Sequence, residues 1–172
     1  MKLTPSTHSY CVFLASALRD CDRQEVALAR PGEERIHVVT ESMESSVICE
    51  TILTDGGKVA GMWGVTPHSL DYTGSIWMLA TPAIHEVAFQ FLRECPRAIG
   101  RAHAHFDTLV CAPWRENKLH LTWLDWCGFT PVELNHEHFL PHVRTHNHRD
   151  AHDAGSVSHR GSDAEQCLQL GH

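Results

Sequence analysis

Asn117-Lys-Leu-His-Leu-Thr-Trp-Leu124-Asp-Trp-Cys-Gly128-Phe129 is the stretch on which the fold of this chain turns. It reads as a short helix that stops on a glycine and passes at once into a strand, Phe129 to Leu134. Asparagine opens helices well because its side-chain oxygen accepts from an orphan amide of the first turn. Glycine closes them because it adopts the left-handed stop conformation without a Cβ penalty. Just upstream, Asp107-Thr-Leu-Val-Cys-Ala112 is the apolar run of a strand. The segment is therefore strand, helix, strand, the unit from which parallel pairings are built.

Working outward, Ser75-Ile-Trp-Met-Leu-Ala80 is apolar almost throughout, as a central strand requires. Thr81-Pro82 follows, a capping hydroxyl before proline at the first helical position. Ile84, Val87, Ala88, Phe91, Leu92 and Cys95 then recur on one helical face, until Pro96 is expected to break or kink the helix. Further upstream, Val47–Thr54 and Lys58–Thr66 read as a hairpin around Asp55-Gly56-Gly57. Gly61 and Gly64 in its second strand permit close backbone approach. Tyr10, Phe13, Leu14, Ala17, Leu18 and Cys21 make one apolar helical face, preceded by a short strand at Lys2–Pro5. Pro31-Gly-Glu-Glu opens a second helix lined by Ile36, Val39 and Met43. The expected fold is α/β (α+β), with a mixed, mostly antiparallel sheet and helices on both faces.

At 172 residues, with 42% hydrophobic and 20% charged, the chain is long enough for one domain with a real core. The formal charge of −7 and only three lysines, Lys2, Lys58 and Lys118, argue against a nucleic-acid-binding surface. No membrane span and no signal peptide are expected. The seven cysteines lack Cys-x-x-Cys spacing, so reduced thiols in a cytoplasmic protein are expected. After Pro141 the composition turns polar and histidine-rich, and the domain is expected to end there, with 142–172 as a tail. His138, His142 and His146 stand at four-residue steps, a zinc spacing only in a continuous helix, and Pro141 works against one. No metal is expected.

The element order resembles the GNAT acetyltransferase superfamily. Three segments, Phe91-Leu-Arg-Glu-Cys95, Phe106-Asp-Thr-Leu-Val110 and the Asn117–Phe129 stretch, look like the small GNAT-like proteins of short-tailed bacteriophages, among them the internal virion protein A type. Asp22-Arg-Gln-Glu25, Asp55–Val65 and Trp77–Thr81 add to the likeness, which covers about residues 1–135. The resemblance implies a role in virion assembly or DNA ejection, with other phage virion or assembly proteins as partners. It also implies a location in the host cytoplasm during assembly, or in the virion.

The same resemblance implies a place for acetyl-CoA, in a V-shaped opening between Ser75–Ala80 and Asp107–Ala112. Trp77, Met78 and Leu79 would offer backbone to the pantetheine, and Ala83, Ile84 and His85 would face the pyrophosphate, with Asn117 nearby. Two departures from the family pattern stand out. Thr81-Pro-Ala-Ile-His-Glu86 carries no phosphate-cradling glycine, and Leu124 replaces the tyrosine that often protonates the leaving thiolate. A degraded cofactor site is therefore expected, with an active N-acetyltransferase acting on an unknown amine as the alternative. For that alternative Glu50 is the candidate base, His120 the candidate acid, with His85 as a substitute, and Asn117 a further site residue. Each also has a plain structural reading: an outward strand residue for Glu50, a helix-surface residue for His120, a helix cap for Asn117.

Overall fold

The computed structural model describes residues 1–146. Seven strands form one sheet among the described residues, in the order β1-β2-β3-β4-β5-β7-β6. They are β1 (Lys2–Pro5), β2 (Ile48–Leu53), β3 (Val59–Pro67), β4 (Thr73–Ala80), β5 (Thr108–Cys111), β6 (Thr130–Pro131) and β7 (His142–Thr145). Only β4 and β5 pair in parallel; every other neighbouring pair is antiparallel. The later strands are therefore less parallel than helix-separated strands suggest, because β7 returns by a loop and inserts between β5 and β6.

Among the described residues five α-helices cover the sheet: α1 (His8–Ala17), α2 (Asp20–Ala29), α3 (Arg35–Ser45), α4 (Ala88–His103) and α5 (Lys118–Trp126). The alternation of strand side chains divides the core in two. Met62 and Leu79 pack with Leu14, Leu18, Val26 and Val39 of the first three helices. Trp63 and Val65 pack with Cys95, Ile99, Leu124 and Phe129 beneath α4 and α5. Trp123 joins this second cluster, while Trp126 is left exposed.

The apolar face read as one helix from Tyr10 to Cys21 is two helices, interrupted at Leu18 and Arg19. Pro96 does not break α4, which begins as a 3-10 turn at Pro82–Val87 and then runs to His103. Pro96 and Leu92 are both exposed, so the Leu92 carbonyl deprived of its helical partner faces solvent. The strand read over Phe129–Leu134 shrinks to Thr130–Pro131, because proline brings no N–H to the ladder. The sheet also runs past residue 141, with Val143 seated between Val110 and Thr130. Being extended, β7 does not bring His138, His142 and His146 onto one helical face, and His142 is buried with Nδ1 against the Leu140 carbonyl (2.7 Å). Residues 147–172, most of the expected tail, lie outside the described residues.

Gly64 shows why a glycine stands in a central strand. A Cβ there would lie 2.7 Å from Ser46 Oγ, 2.9 Å from the Ile48 carbonyl and 2.9 Å from the Trp77 ring. Gly64→Ala is expected to lower stability by about 1–3 kcal/mol through overpacking, read as a shifted urea midpoint with unchanged slope. A midpoint equal to wild type would show that β2 and β3 can part without cost.

Candidate functional site

The opening in the sheet follows from the register of its one parallel pair. β4 and β5 pair at Thr73↔Thr108, Gly74↔Leu109 and Ser75↔Val110, and no further. From Ile76 onward β4 stays on β3, with Trp63↔Met78 and Gly61↔Ala80, while β5 splays away. Successive residues of a strand direct their amide and carbonyl to alternate sides. Ala80 turns both toward the split, and Met78, two residues before it, does the same.

The Ala80 edge is already taken. Its amide donates to Asp22 Oδ2 (3.1 Å), and its carbonyl accepts from the Arg19 amide (2.9 Å). The Arg19 guanidinium grips the same carboxylate through Nε (2.7 Å) and Nη2 (3.0 Å). The α1–α2 junction thus caps the end of β4, and Asp22 is only 1% exposed.

The helix start beyond β4 is equally committed. Pro82 has no amide hydrogen, the Ala83 amide donates to Thr81 Oγ1 (3.2 Å), and the Ile84 amide donates to the Thr81 carbonyl (3.1 Å). The Thr81 hydroxyl in turn donates to the Val59 carbonyl (2.8 Å). Glu86 holds Lys58 (2.9 Å), placing a carboxylate beside the turn. Ile84 is buried, Ala83 half-buried and His85 exposed. No donor of this first turn is left to receive a pyrophosphate, so the residues present do not fit that group.

Two cavities meet at the split. One, of about 210 Å³, runs between β4 and β5 and is lined by Val26, Ile76, Phe91, Leu124 and Phe129, with Glu25, Ser42, Glu94 and His120 among its polar members. The other, of about 220 Å³, lies outside it between the 3-10 turn and α5, bordered by Ile84, His85 and Leu119. Met78, Phe91, His120 and Trp123 line both, and so form the constriction between them.

Glu25 of α2 faces His120 of α5 across this opening, with Glu25 Oε2 3.9 Å from His120 Nδ1. The Trp114 amide donates to Glu25 Oε2 (3.2 Å), and Asn117 accepts from the His120 amide (3.3 Å) as cap of α5. Burial pushes the Glu25 carboxyl up to about 7, and the negative charge of Asp22 adds to this, while the Trp114 amide and Asn117 side chain hold it back. Burial, followed by the positive charge of Arg19 and of His142, pushes His120 down to about 4. At neutral pH the site therefore holds a neutral imidazole beside a carboxyl group near its midpoint.

Of the residues singled out in the sequence, His120 and Asn117 come together here, and Met78 presents its backbone. Leu79 packs into the α1–α3 core, and Trp77 sends Nε1 to Ser46 Oγ (3.0 Å) across the same face. Glu50 does not join the site. Its carboxylate oxygen Oε2 binds Arg101 Nη2 (2.6 Å) and Trp63 Nε1 (3.1 Å), and neither Glu50 nor Arg101, a half-buried ion pair, lines the opening. Glu25 was missed as a candidate base, although Asp22-Arg-Gln-Glu25 figured in the family likeness. Elsewhere Glu33, His37 and Glu41 cluster within 4.8 Å on the surface, but Arg30 already binds both carboxylates.

No protein-family model and no curated protein matches this chain. Solved structures do. One is yncA of Salmonella typhimurium, described as an acetyltransferase and solved with its cofactor acetyl-CoA. It shares 14% identity with a TM-score of 0.60, over 92% of this chain and 99% of that one. Another is the GNAT domain of S. lividans PAT, with 14% identity, a TM-score of 0.62, and coverage of 83% and 89%. The fold is that of the GNAT acetyltransferases. A spermidine N-acetyltransferase of Vibrio cholerae aligns similarly, with 9% identity, a TM-score of 0.58, and coverage of 84% and 95%. At these identities the GNAT likeness carries the architecture alone, and the chemistry rests on this chain's own residues.

Proposed function

We propose that this chain is a GNAT-fold protein that does not transfer acetyl groups and serves in the assembly or DNA-ejection machinery of a short-tailed bacteriophage. The observation that supports the first half is the turn after β4, where Pro82 lacks an amide hydrogen and Ala83 and Ile84 spend theirs on Thr81. A pyrophosphate needs such donors, and the helix dipole alone is a weak substitute. Leu124, fully buried, offers no proton where the family often has a tyrosine. The phage role rests on the likeness of Phe91–Cys95, Phe106–Val110 and Asn117–Phe129 to small phage proteins of this fold. Its partners would be other virion or assembly proteins, met in the host cytoplasm during assembly or in the particle. No helix among the described residues is long and apolar enough to cross a membrane.

The test is direct binding. Calorimetry and thermal melting with millimolar acetyl-CoA are expected to show no heat of binding and no change in melting temperature. A cofactor at 100 times its Kd would stabilise the fold by about 2.7 kcal/mol, and a shift of that order overturns the reading. Co-sedimentation with purified phage particles tests the assembly role.

One observation favours a second reading, an acetyl-CoA-dependent N-acetyltransferase acting on an unknown amine. Glu25 titrates near neutral pH at the split, as a general base should. Acetyl-CoA turnover that Glu25→Gln abolishes would establish it.

A further inference from the structure

We propose that Glu25 and His120 form a two-pronged acceptor for the ammonium group of a small amine whose apolar body fills the cavity between β4 and β5. The distance between the prongs is the first ground. Glu25 Oε2 and His120 Nδ1 are 3.9 Å apart, too far for a hydrogen bond to each other. That is the spacing of two acceptors around one shared donor atom about 2.8 Å from each.

The second ground is the state of the groups. His120 Nδ1 is buried and makes no hydrogen bond within the protein. A buried polar atom of this kind calls for a partner. The imidazole is neutral at pH 7, so in the tautomer that carries its proton on Nε2 the Nδ1 atom is an acceptor, and a carboxylate accepts only. A ligand with several N–H donors and a positive charge satisfies both prongs; a carboxylic acid satisfies neither above pH 7.

The third ground is the shape and lining of the cavity. Its remaining wall includes Val26, Ile76, Phe91, Leu124 and Phe129. An apolar cavity of about 150 Å³ holds benzene. The 210 Å³ found here suits an aromatic ring with a short aliphatic arm that carries the nitrogen to the polar end. A long polyamine would have to bury further charges in this wall, and that is costly.

The charged groups around Glu25 leave it to the ligand. Arg19, the nearest fixed cation, is held by both oxygens of Asp22. Glu94, on the same cavity wall, is bonded by Arg97 and Arg101. Cys111 of β5 is neutral, because burial pushes its thiol up, and His142 on the β7 side is bonded to the Leu140 carbonyl. An ammonium in the cavity therefore meets one uncompensated carboxylate once the pH exceeds about 7.

The inference needs no acetyl-CoA and holds whether or not the chain is an enzyme. The probe is 2-phenylethylamine, titrated into the full chain by calorimetry without any cofactor, with toluene and phenylacetate as comparisons. Binding is expected at pH 8, weakening about tenfold at pH 6 as Glu25 takes up its proton. Phenylacetate should not bind, and toluene should bind at least tenfold more weakly at pH 8. Glu25→Gln, which keeps the size of the side chain and the acceptor for Trp114, should remove the pH dependence and weaken binding at pH 8 tenfold. A denaturation curve establishes that the variant is folded. Toluene binding as tightly as the amine, no amine binding at pH 8, or a Glu25→Gln variant that binds like wild type would each overturn the proposal. The second of these results would leave a bridging water as the sole occupant of the 3.9 Å gap.

Discussion

Asp22→Ala is expected to destabilise the fold by about 3–5 kcal/mol, the cost of removing one partner from a buried ion pair. The carboxylate receives three hydrogen bonds, two from Arg19 and one from the Ala80 amide, while almost wholly out of water. Alanine would leave a half-buried guanidinium and a strand-end amide without acceptors. Against a typical total of about 5–15 kcal/mol, the loss would bring the chain close to unfolding at physiological temperature. Asp22→Asn separates the contributions, since its side-chain oxygen can still accept from Ala80 while the charge pair is lost. It should fall between wild type and alanine in a urea titration. An alanine variant within about 1 kcal/mol of wild type would mean that water reaches this junction and that the cap on β4 is dispensable.

Glu25→Gln is expected to act in the opposite direction. A carboxyl group raised to about 7 in the fold, against about 4.3 in an unfolded chain, binds its proton more tightly when folded. Between those two values the native state holds more protons than the unfolded state, so stability falls as pH rises through the window and levels off above it. The burial that raises the group costs about 3.5 kcal/mol once the carboxylate is fully ionised. Glutamine carries no such cost. Wild type and variant should therefore be equally stable near pH 4 and separate by about 3.5 kcal/mol at pH 8, with the variant the more stable. Denaturant titrations at several pH values read the difference directly, and other titrating groups cancel between the two proteins. Parallel curves across the window would mean that Glu25 is solvated.

The parts of this architecture set by local chemistry were open to reading from the residues. Asn117 caps α5 with its own side chain, and Gly128 closes it at φ 80°, as their spacing implied. The hairpin at Asp55-Gly-Gly, the glycine at 64 and the threonine cap before Pro82 also follow from nearest-neighbour rules. Glu25 was not legible, because nothing in Asp22-Arg-Gln-Glu25 distinguishes it from an exposed helical charge. Its burial is imposed by Trp114, 89 positions away. Placing Cys21 at the end of the first helix also hid the break at Leu18 and Arg19, on which the Asp22 cap depends. β7 escaped for a related reason: His142-Val-Arg-Thr145 has one aliphatic residue, and its strand character comes from two partners rather than from its own composition.

The place of β7 in the sheet imposes an order of events on a chain made from its N-terminus. β5 and β6 are both synthesised before the strand that must lie between them, and they share no pairing of their own. Until residue 145 emerges, β5 therefore presents an open edge on the side away from β4. Such an edge can recruit any extended segment, including one from another copy of the chain. A ribosome adding about 5–20 residues each second keeps that interval to seconds. Folding of the β5–β7–β6 part of the sheet is thus gated by the arrival of β7, however early β1 to β4 have settled.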